Sequence, residues 1–327
     1  MKRGLIFMAT VTMCAGMQAR TQGFSVRDSI PADTVITDSV KTDTVAADTL
    51  KKKKTEETEY QKLVKKGGTT QEGIFLVRHI EEKYYFEVPD SLLGRMLLCV
   101  TRFTAVPQQF GQFAGEEITH CAVYFEQRDS SQLMLRQYVQ SHLSAPADNI
   151  TRTLEQSTVD PIVKAFKVIG RNEAGDASLV EMTDLFKGDS QLFSLSGDRK
   201  TAMKVGGLQP DRTFIDTMKV FPTNIEIATT RTYGSSPAAS PASKTGSLTM
   251  AFNTSVVALP WEPMRKRLWD ERIGYFVNSF VRFSDDQRKT EHESFISRYR
   301  LVPKDKKKYL RGELCEPEQQ IVYYIDP

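Results

Sequence analysis

The side chains that could bind a metal ion or act as nucleophiles are sparse in this sequence. A zinc hydrolase site of the His-Glu-x-x-His type needs two histidines one helical turn apart, with a glutamate between them as general base. The nearest string, Glu291-His-Glu293, has no second histidine four positions after the first. We expect isolated surface or core histidines, since all four stand far apart in the chain. They are His79, His120, His142 and His292.

Motifs of other catalytic classes are missing as well. The sequence has no Gly-x-Ser-x-Gly nucleophile elbow, no Gly-rich phosphate loop and no Cys-x-x-Cys pair. Carboxylates are plentiful, but nothing in their spacing selects an acid and base pair. The sequence therefore predicts no catalytic residue, no metal ligand and no cofactor in this chain. The balance of 44 Lys+Arg against 41 Asp+Glu also argues against a dedicated nucleic-acid binder.

The first residues have the pattern of an export signal. Lys2 and Arg3 precede an apolar run of h-region length that extends to Ala15, and small residues follow as far as Ala19. The run is too short for a membrane span, which needs about 20 apolar residues, and no later stretch qualifies. We expect residues 1–23 to be a signal peptide and the protein to be exported to the periplasm, the cell envelope or the medium. Acylation of Cys14 as a lipoprotein is a less favoured alternative.

Three cysteines lie beyond the signal, at Cys99, Cys121 and Cys315. An odd number in an exported protein permits at most one internal disulfide. Cys99 and Cys121 form the candidate pair, since both lie in predicted strands that could be neighbours. The alternative is that all three thiols are reduced and buried.

Residues 24–58 form a repetitive polar segment. An Asp-Ser/Thr-aliphatic triplet recurs every five residues from Asp28 to Leu50. This period matches neither a helix nor a strand, so we expect a disordered tether. The triplets also resemble the acceptor motif of a general O-glycosylation system of some Gram-negative envelope proteins, and a repeat-expanded linker is the alternative. By that resemblance the modified hydroxyls are those of Ser29, Thr34, Ser39, Thr44 and Thr49.

The body of the chain is predicted to be mainly β, a β-rich α+β fold of antiparallel hairpins and sheets with a few short helices. Alternating apolar runs are separated by turn residues, as at Arg128-Asp-Ser-Ser131 and Asn172-Glu-Ala-Gly-Asp176. A short helical turn is expected to end at Gly67-Gly68, and residues 234–246 are expected to form a long hairpin loop. We divide the body into a small N-terminal β domain at 59–105, a larger β-rich domain at 106–303, and a connector with a first strand at 304–327. The apolar run Ile321–Ile325 is that strand, and Phe295–Leu301 is predicted to be a strand near the end of the larger domain.

Three segments of the C-terminal third carry a resemblance to a known family. They are Leu259-Pro-Trp-Glu-Pro-Met-Arg-Lys-Arg-Leu-Trp-Asp-Glu-Arg-Ile-Gly-Tyr-Phe276, Arg298-Tyr-Arg-Leu301 and Gly312-Glu-Leu-Cys-Glu-Pro-Glu-Gln-Gln-Ile-Val-Tyr-Tyr-Ile-Asp326. These resemble the N-terminal, non-catalytic domains of unknown function in a family of exported bacterial zinc-dependent metalloproteases. The residues that match the family motif are Asp270, Arg272, Gly274, Tyr275, Phe276, Arg298, Tyr323 and Tyr324.

From the residues themselves, we expect a structural role for this motif. Gly274 suggests a close approach or a bulge at the start of a strand. The aromatic side chains are expected to pack in the core rather than to form a ligand platform. They are Trp261, Trp269, Tyr275 and Phe276.

The resemblance implies a zinc-binding peptidase domain after the last predicted strand, and zinc as the cofactor of that domain. The leading hypothesis is therefore a non-catalytic region, truncated before the catalytic domain, that acts as pro-region, folding aid or substrate-positioning module. Its partners would be the catalytic domain, in cis or split, and a protein or peptide substrate. The alternatives are a stand-alone envelope binding module on an O-glycosylated tether and, least favoured, a complete enzyme.

Overall fold

The computed structural model describes residues 57–236 and 241–323. The predicted signal peptide, the five predicted glycosylation hydroxyls, Tyr324 and nearly all of the tether lie outside the described residues. The described part contains sixteen strands and five α-helices, which confirms the β-rich fold class.

The strands are β1 (Thr69–Glu72), β2 (Leu76–Ile80), β3 (Lys83–Pro89), β4 (Leu97–Ala105), β5 (Glu117–Asp129), β6 (Gln132–Tyr138), β7 (His142–Ser144), β8 (Ile162–Lys167), β9 (Gly170–Arg171), β10 (Ala177–Glu181), β11 (Val205–Leu208), β12 (Phe214–Val220), β13 (Asn224–Ser235), β14 (Ser247–Ala258), β15 (Val277–Phe283) and β16 (Glu291–Ile296). The α-helices are α1 (Glu59–Lys65), α2 (Asn149–Ser157), α3 (Thr183–Lys187), α4 (Gly197–Ala202) and α5 (Lys306–Leu310). Short 3₁₀ helices occupy Asp90–Leu92, Pro210–Arg212 and Pro241–Ser243.

The described chain divides into two compact units. The larger unit comprises residues 57–138 and 161–259, and the smaller unit comprises 139–160 and 260–323. Each unit is therefore built from two separate stretches of sequence.

The larger unit contains two antiparallel sheets. The first has the strand order β1-β2-β3-β10-β9, and the second has the order β11-β13-β14-β4-β5-β6-β8, with β12 also paired to β13. Strand β4 follows the β2–β3 hairpin in sequence, yet it lies in the second sheet between β14 and β5. The first 50 described residues thus supply strands to both sheets.

The main core of the larger unit contains side chains from both sheets. Phe75 and Phe86 come from the region of β2 and β3, whereas Leu97, Phe125 and Ile225 come from β4, β5 and β13. In β13 buried residues alternate with less buried ones, as expected for a strand with one face on the core. Burial of these side chains supplies the main stabilisation of the unit.

Several turns lie where the sequence predicts them. Helix α1 ends before Gly67, which has φ +79°, and Thr58 caps its first turn by accepting a hydrogen bond from the Gln61 amide. The hairpin turn at 130–131 joins β5 to β6, and the long 236–246 connection joins β13 to β14. The turn predicted at 172–176 joins β9 to β10, but the longer strand before it, β8, pairs with β6 in the other sheet.

The smaller unit contains the three-stranded sheet β16-β15-β7, in which β7 runs parallel to β15. Two strand predictions fail here. A strand is predicted over Phe295–Leu301, but the observed strand, β16, covers Glu291–Ile296. The polar residues from Glu291 onward belong to it because they pair with β15. Residues Ile321–Tyr323 form no strand, and the rest of that predicted strand lies outside the described residues.

Candidate interaction surface

The segment that precedes Asp270 lies antiparallel beside β16. Leu268 forms an antiparallel bridge with Phe295. The amide of Trp269 donates a hydrogen bond to the carbonyl of Ser294 at 2.9 Å. These contacts extend the small sheet by one irregular strand without making that strand part of the regular ladder.

The opposite edge of β16 pairs with β15 and with the residues just before it. The amide of Ser297 donates to the carbonyl of Phe276 at 2.8 Å, and Asn278 lies opposite Phe295 in the strand register. Phe276 therefore continues β15 by one residue, and the extended sheet brings the family motif against β16.

One side of this extended sheet carries four apolar side chains together with Asn278, whose side-chain nitrogen is buried without a hydrogen-bond partner in the part of the chain that the structure describes. Leu268 and Phe295 lie directly opposite each other, so their side chains share a face. The rings of Phe280 and Phe295 are 6.0 Å apart between centroids. Phe276 lies four residues before Phe280, so the period of two places it on the same face. We call these four side chains, Leu268, Phe276, Phe280 and Phe295, the apolar face.

The apolar face is unevenly covered. Phe295 is buried, whereas Leu268 is 63% exposed and Phe276 is 74% exposed. The Lys266 ammonium lies over the Phe280 ring at 5.1 Å and over the Phe295 ring at 5.2 Å. Partial burial lowers the pKa of Lys266, and its stem shields the two rings from water. The exposed part of the face is thus Leu268 and Phe276.

The family motif begins with a charged turn. The Arg272 guanidinium donates to the Asp270 carboxylate at 2.6 and 2.9 Å, and the Arg272 amide donates to Asp270 Oδ1 at 3.0 Å. These hydrogen bonds hold the pKa of Asp270 below its ordinary value. Asp270 and Arg272 therefore shape the turn that leads the chain from the edge of β16 toward β15.

The expected burial of the motif aromatics is wrong. Trp261, Trp269, Tyr275 and Phe276 are all exposed, by 38% or more. All four lie outside the regular strands, and Trp269 and Phe276 join the sheet through backbone hydrogen bonds that leave their side chains exposed to solvent.

The expectation for Gly274 is also wrong. An added Cβ at this position would meet no atom within 4 Å, and its φ is not in the left-handed region. Because the surroundings are open, no close approach or bulge requires glycine here.

The remaining motif residues hold neighbouring segments. The Arg298 guanidinium donates to the carbonyl of Arg265 at 2.8 Å. The hydroxyls of Tyr299 and Tyr323 are 2.8 Å apart, and both side chains are exposed. The structure thus gathers the described motif residues around one sheet, with Tyr323 joined through Tyr299.

Cys99 and Cys121 lie elsewhere, in the larger unit. They occupy directly opposite positions in β4 and β5, are buried, and are both free thiols. Cys315 is a third free thiol, in the smaller unit. The predicted pairing partners are therefore cross-strand neighbours.

A buried cation was missed by sequence reasoning. Arg231 is fully buried, and its guanidinium donates to the carbonyls of Phe186 at 2.7 Å and Gly188 at 3.3 Å and to Thr229 Oγ1 at 3.1 Å. Burial lowers its pKa. The signal was present in β13, because Arg231 falls on the same alternate phase as its buried apolar neighbours.

In residues 57–236 and 241–323, no group of three or more His, Cys, Asp or Glu side chains is arranged so that it could bind a metal ion. In the same two ranges, no helix combines the length and apolar character needed to cross a membrane.

The comparisons with known proteins match two family profiles. The profile described as Domain of unknown function (DUF5117) matches residues 115–304, more than half of the 327 residues. The chain belongs to the DUF5117 family. The profile described as Domain of unknown function (DUF5118) matches residues 57–106. Neither the curated proteins nor the solved structures gave a match.

The apolar face lies within the part of the chain that matches the DUF5117 profile. All four of its residues, and the turn of Asp270 and Arg272, lie inside the DUF5117 match. The DUF5118 match supplies α1 and β1 to β4, and the DUF5117 match supplies β5 to β16. The apolar face therefore belongs to the DUF5117 region.

Proposed function

We propose that this DUF5117 protein is a non-catalytic region of an exported zinc-dependent metalloprotease, and that it docks the zinc-binding peptidase domain through its apolar face. The metalloprotease part of the proposal is supported by the resemblance of the motif at Asp270–Phe276 and its flanking segments to exported zinc-dependent metalloproteases. The docking role rests on the exposure of Leu268 and Phe276 beside that motif.

The apolar face carries the proposal. Exposed apolar patches rimmed by charged groups mark interaction sites more often than isolated exposed residues do. Here Leu268 and Phe276 flank two rings that Lys266 already covers, and Asp270 and Arg272 form a charged rim close by in sequence. An apolar surface element of the peptidase domain is the partner that this arrangement suits.

This docking favours a positioning or folding role among those that the resemblance implies. A non-catalytic region that holds the peptidase domain stabilises it and fixes its orientation toward a protein or peptide substrate. Zinc would then belong to the peptidase domain, and the chain described here would supply the scaffold.

The proposal is tested by reconstitution. The peptidase domain is sought in the native genome as a His-Glu-x-x-His sequence in the reading frame that continues from codon 327 or lies beside it. It is then co-expressed with the full chain, and the complex is measured by light scattering and by zinc-dependent casein cleavage. The variant Leu268→Ser/Phe276→Ser is expected to weaken the association at least tenfold, since burying one large apolar side chain contributes about 1.5–3 kcal/mol.

A control variant removes two large, exposed apolar side chains from the other unit. Phe214 and Phe221 are exposed by 53% and 43%, and Phe214→Ser/Phe221→Ser is expected to leave the association unchanged. Unaltered affinity of the Leu268→Ser/Phe276→Ser variant would reject the apolar face as the docking site. Failure to find any associating zinc peptidase would favour the stand-alone binding module instead.

A further inference from the structure

The pairing of β4 with β5 places two cysteines in a position to be covalently joined. Cys99 lies directly opposite Cys121 in the antiparallel register. Directly opposite residues in such a pair have Cα atoms about 4.5–5.5 Å apart. Disulfides span Cα separations of about 4.4–6.8 Å, so the backbone need not move to accommodate the bond.

The two side chains also point to the same place. Both belong to the core cluster of the larger unit, and their exposures are 1% and 6%. Because the two residues are directly opposite in the register, their side chains lie on the same face of the sheet, where the Cys121 thiol donates a hydrogen bond to the carbonyl of Leu192 at 3.7 Å.

We propose that Cys99 and Cys121 form a cross-strand disulfide that covalently joins the DUF5118 region to the DUF5117 region during folding. Cys99 lies in the match at 57–106 and Cys121 in the match at 115–304. The bond would therefore tie together two regions that already share a sheet.

The reaction needs an oxidant, and the class that fits is the disulfide form of a thiol–disulfide oxidoreductase in an oxidising compartment. One S–S bond forms in this chain and one breaks in the oxidoreductase. The two thiols lose two protons and two electrons in total, and the oxidoreductase leaves as a dithiol.

The burial of the two thiols limits disulfide formation to an early stage of folding. A thiol that is 1% exposed cannot meet the active site of another protein, so the exchange takes place before β4 and β5 are enclosed by the first sheet. In a chain that has folded with both thiols reduced, the neighbouring Cys121 thiol and burial raise the pKa of Cys99 well above its ordinary value. The thiolate needed for exchange is then scarce, so such a chain does not form the bond after folding.

The experiment compares the full chain exported by a Gram-negative host with the same chain, lacking residues 1–23, retained in the reducing cytosol. Each sample is denatured in guanidinium with N-ethylmaleimide and digested with trypsin without reductant. Cleavage after Arg95, Arg102 and Arg128 separates the two cysteines into peptides 96–102 and 103–128. In the exported sample the two peptides are expected as one linked species, lighter by two hydrogens than their sum.

Cys315 serves as the internal control and is expected to carry the alkyl group in both samples. In the exported Cys99→Ser variant, Cys121 is expected to be alkylated rather than paired with Cys315. Alkylation of both Cys99 and Cys121 in the exported wild-type chain would overturn the proposal, and so would a linkage of either one to Cys315. The wild-type peptides alone decide the matter if the variant fails to fold.

Discussion

At the scale of single residues, the unusual feature is a cation in the core. Arg231 is surrounded by β13, the carbonyls after α3 and the ring of Phe252, whose centroid lies 5.2 Å from its guanidinium carbon. Within the described residues no carboxylate accepts a hydrogen bond from Arg231, and two carbonyls and the Thr229 hydroxyl satisfy its donors instead. Arg231 thereby fastens the α3 region to the second sheet.

Replacing Arg231 with methionine keeps much of the volume but leaves the carbonyls of Phe186 and Gly188 without their donor. We expect the free energy of unfolding to fall by about 3 kcal/mol, because buried unsatisfied acceptors are costly. Urea denaturation followed by far-UV circular dichroism measures the change. Arg128→Met, at an exposed side chain of β5 in the same unit, is the control and is expected to leave the curve unchanged. Equal behaviour of the two variants would contradict the role given to Arg231.

Residue roles were the hardest part to predict from the sequence. Spacing showed that the histidines make no recognisable motif, and alternation could have placed Arg231 inward. The exposure of Trp261 and Phe276 could not be predicted, because local hydrophobicity favours burial and says nothing about whether the chain offers a covering element. The apolar face was missed for that reason.

At the scale of elements, helix α2 depends on a cap supplied from far along the chain. Asp148 stands at its N-cap but makes no side-chain capping bond. The Asp285 carboxylate accepts instead from the amides of Asn149 at 2.8 Å and Ile150 at 2.9 Å. These bonds lower the pKa of Asp285. A distant carboxylate thus satisfies amides that a helix start leaves unpaired.

The lowered pKa fixes the sign of a pH effect. The contribution of Asp285 to stability is complete above the unfolded pKa of about 3.9 and is lost as the pH falls through the lower folded pKa. Asp285→Asn is therefore expected to lower the urea midpoint of the smaller unit at pH 7, with a difference from wild type that shrinks as the pH falls below about 3.9. Both tryptophans of the chain, Trp261 and Trp269, lie in this unit, so their fluorescence reports on it.

The neighbouring exposed carboxylate provides the comparison for this measurement. Asp286→Asn removes the same charge at the next position. It is expected to leave the tryptophan-detected urea midpoint unchanged at pH 7 and at a pH below about 3.9. A pH-independent loss in Asp285→Asn would show that packing, rather than the carboxylate charge, carries the effect.

Elements joined by short turns were predictable, and elements joined by distant pairing were not. The turn at 130–131 and the connection at 236–246 stand out in the sequence because turn residues interrupt alternating runs. Strand β16 was misplaced because Glu291 and His292 are polar, and only their pairing with β15 makes them strand residues. Such pairing depends on tertiary contacts that local patterns do not encode.

At the scale of the whole molecule, the sequence order of the strands is not their spatial order. The DUF5118 match supplies β3, which pairs with β10, and β4, which lies between β5 and β14. Four of the strands of the larger unit thus come from a segment that depends on the DUF5117 region for most of its partners. This interleaving could not be read from local alternation, which locates strands but not their neighbours.

A fragment limited to residues 57–106 is therefore expected to be unfolded. It would retain β1, β2 and β3, but β3 would lose β10 and β4 would lose both of its neighbours, so the apolar side chains of the fragment would have no second sheet to cover them. Narrow amide dispersion in a proton–nitrogen correlation spectrum is the expected result, with the chain spanning 57–323 as the folded reference. A well-dispersed spectrum of the fragment would contradict this dependence.

The position of β4 also sets the order in which the molecule can be assembled. Its partner on one side, β5, begins at Glu117, shortly after β4 ends at Ala105. Its partner on the other side is β14, in which Val256 lies opposite Cys99. During synthesis, β4 waits with one edge open until Ser247–Ala258 has been made, and open edges recruit strands of other chains. The exposure of nascent copies to edge-to-edge aggregation is thus governed by how quickly the last third of the chain is delivered, rather than by the stability of the finished sheet.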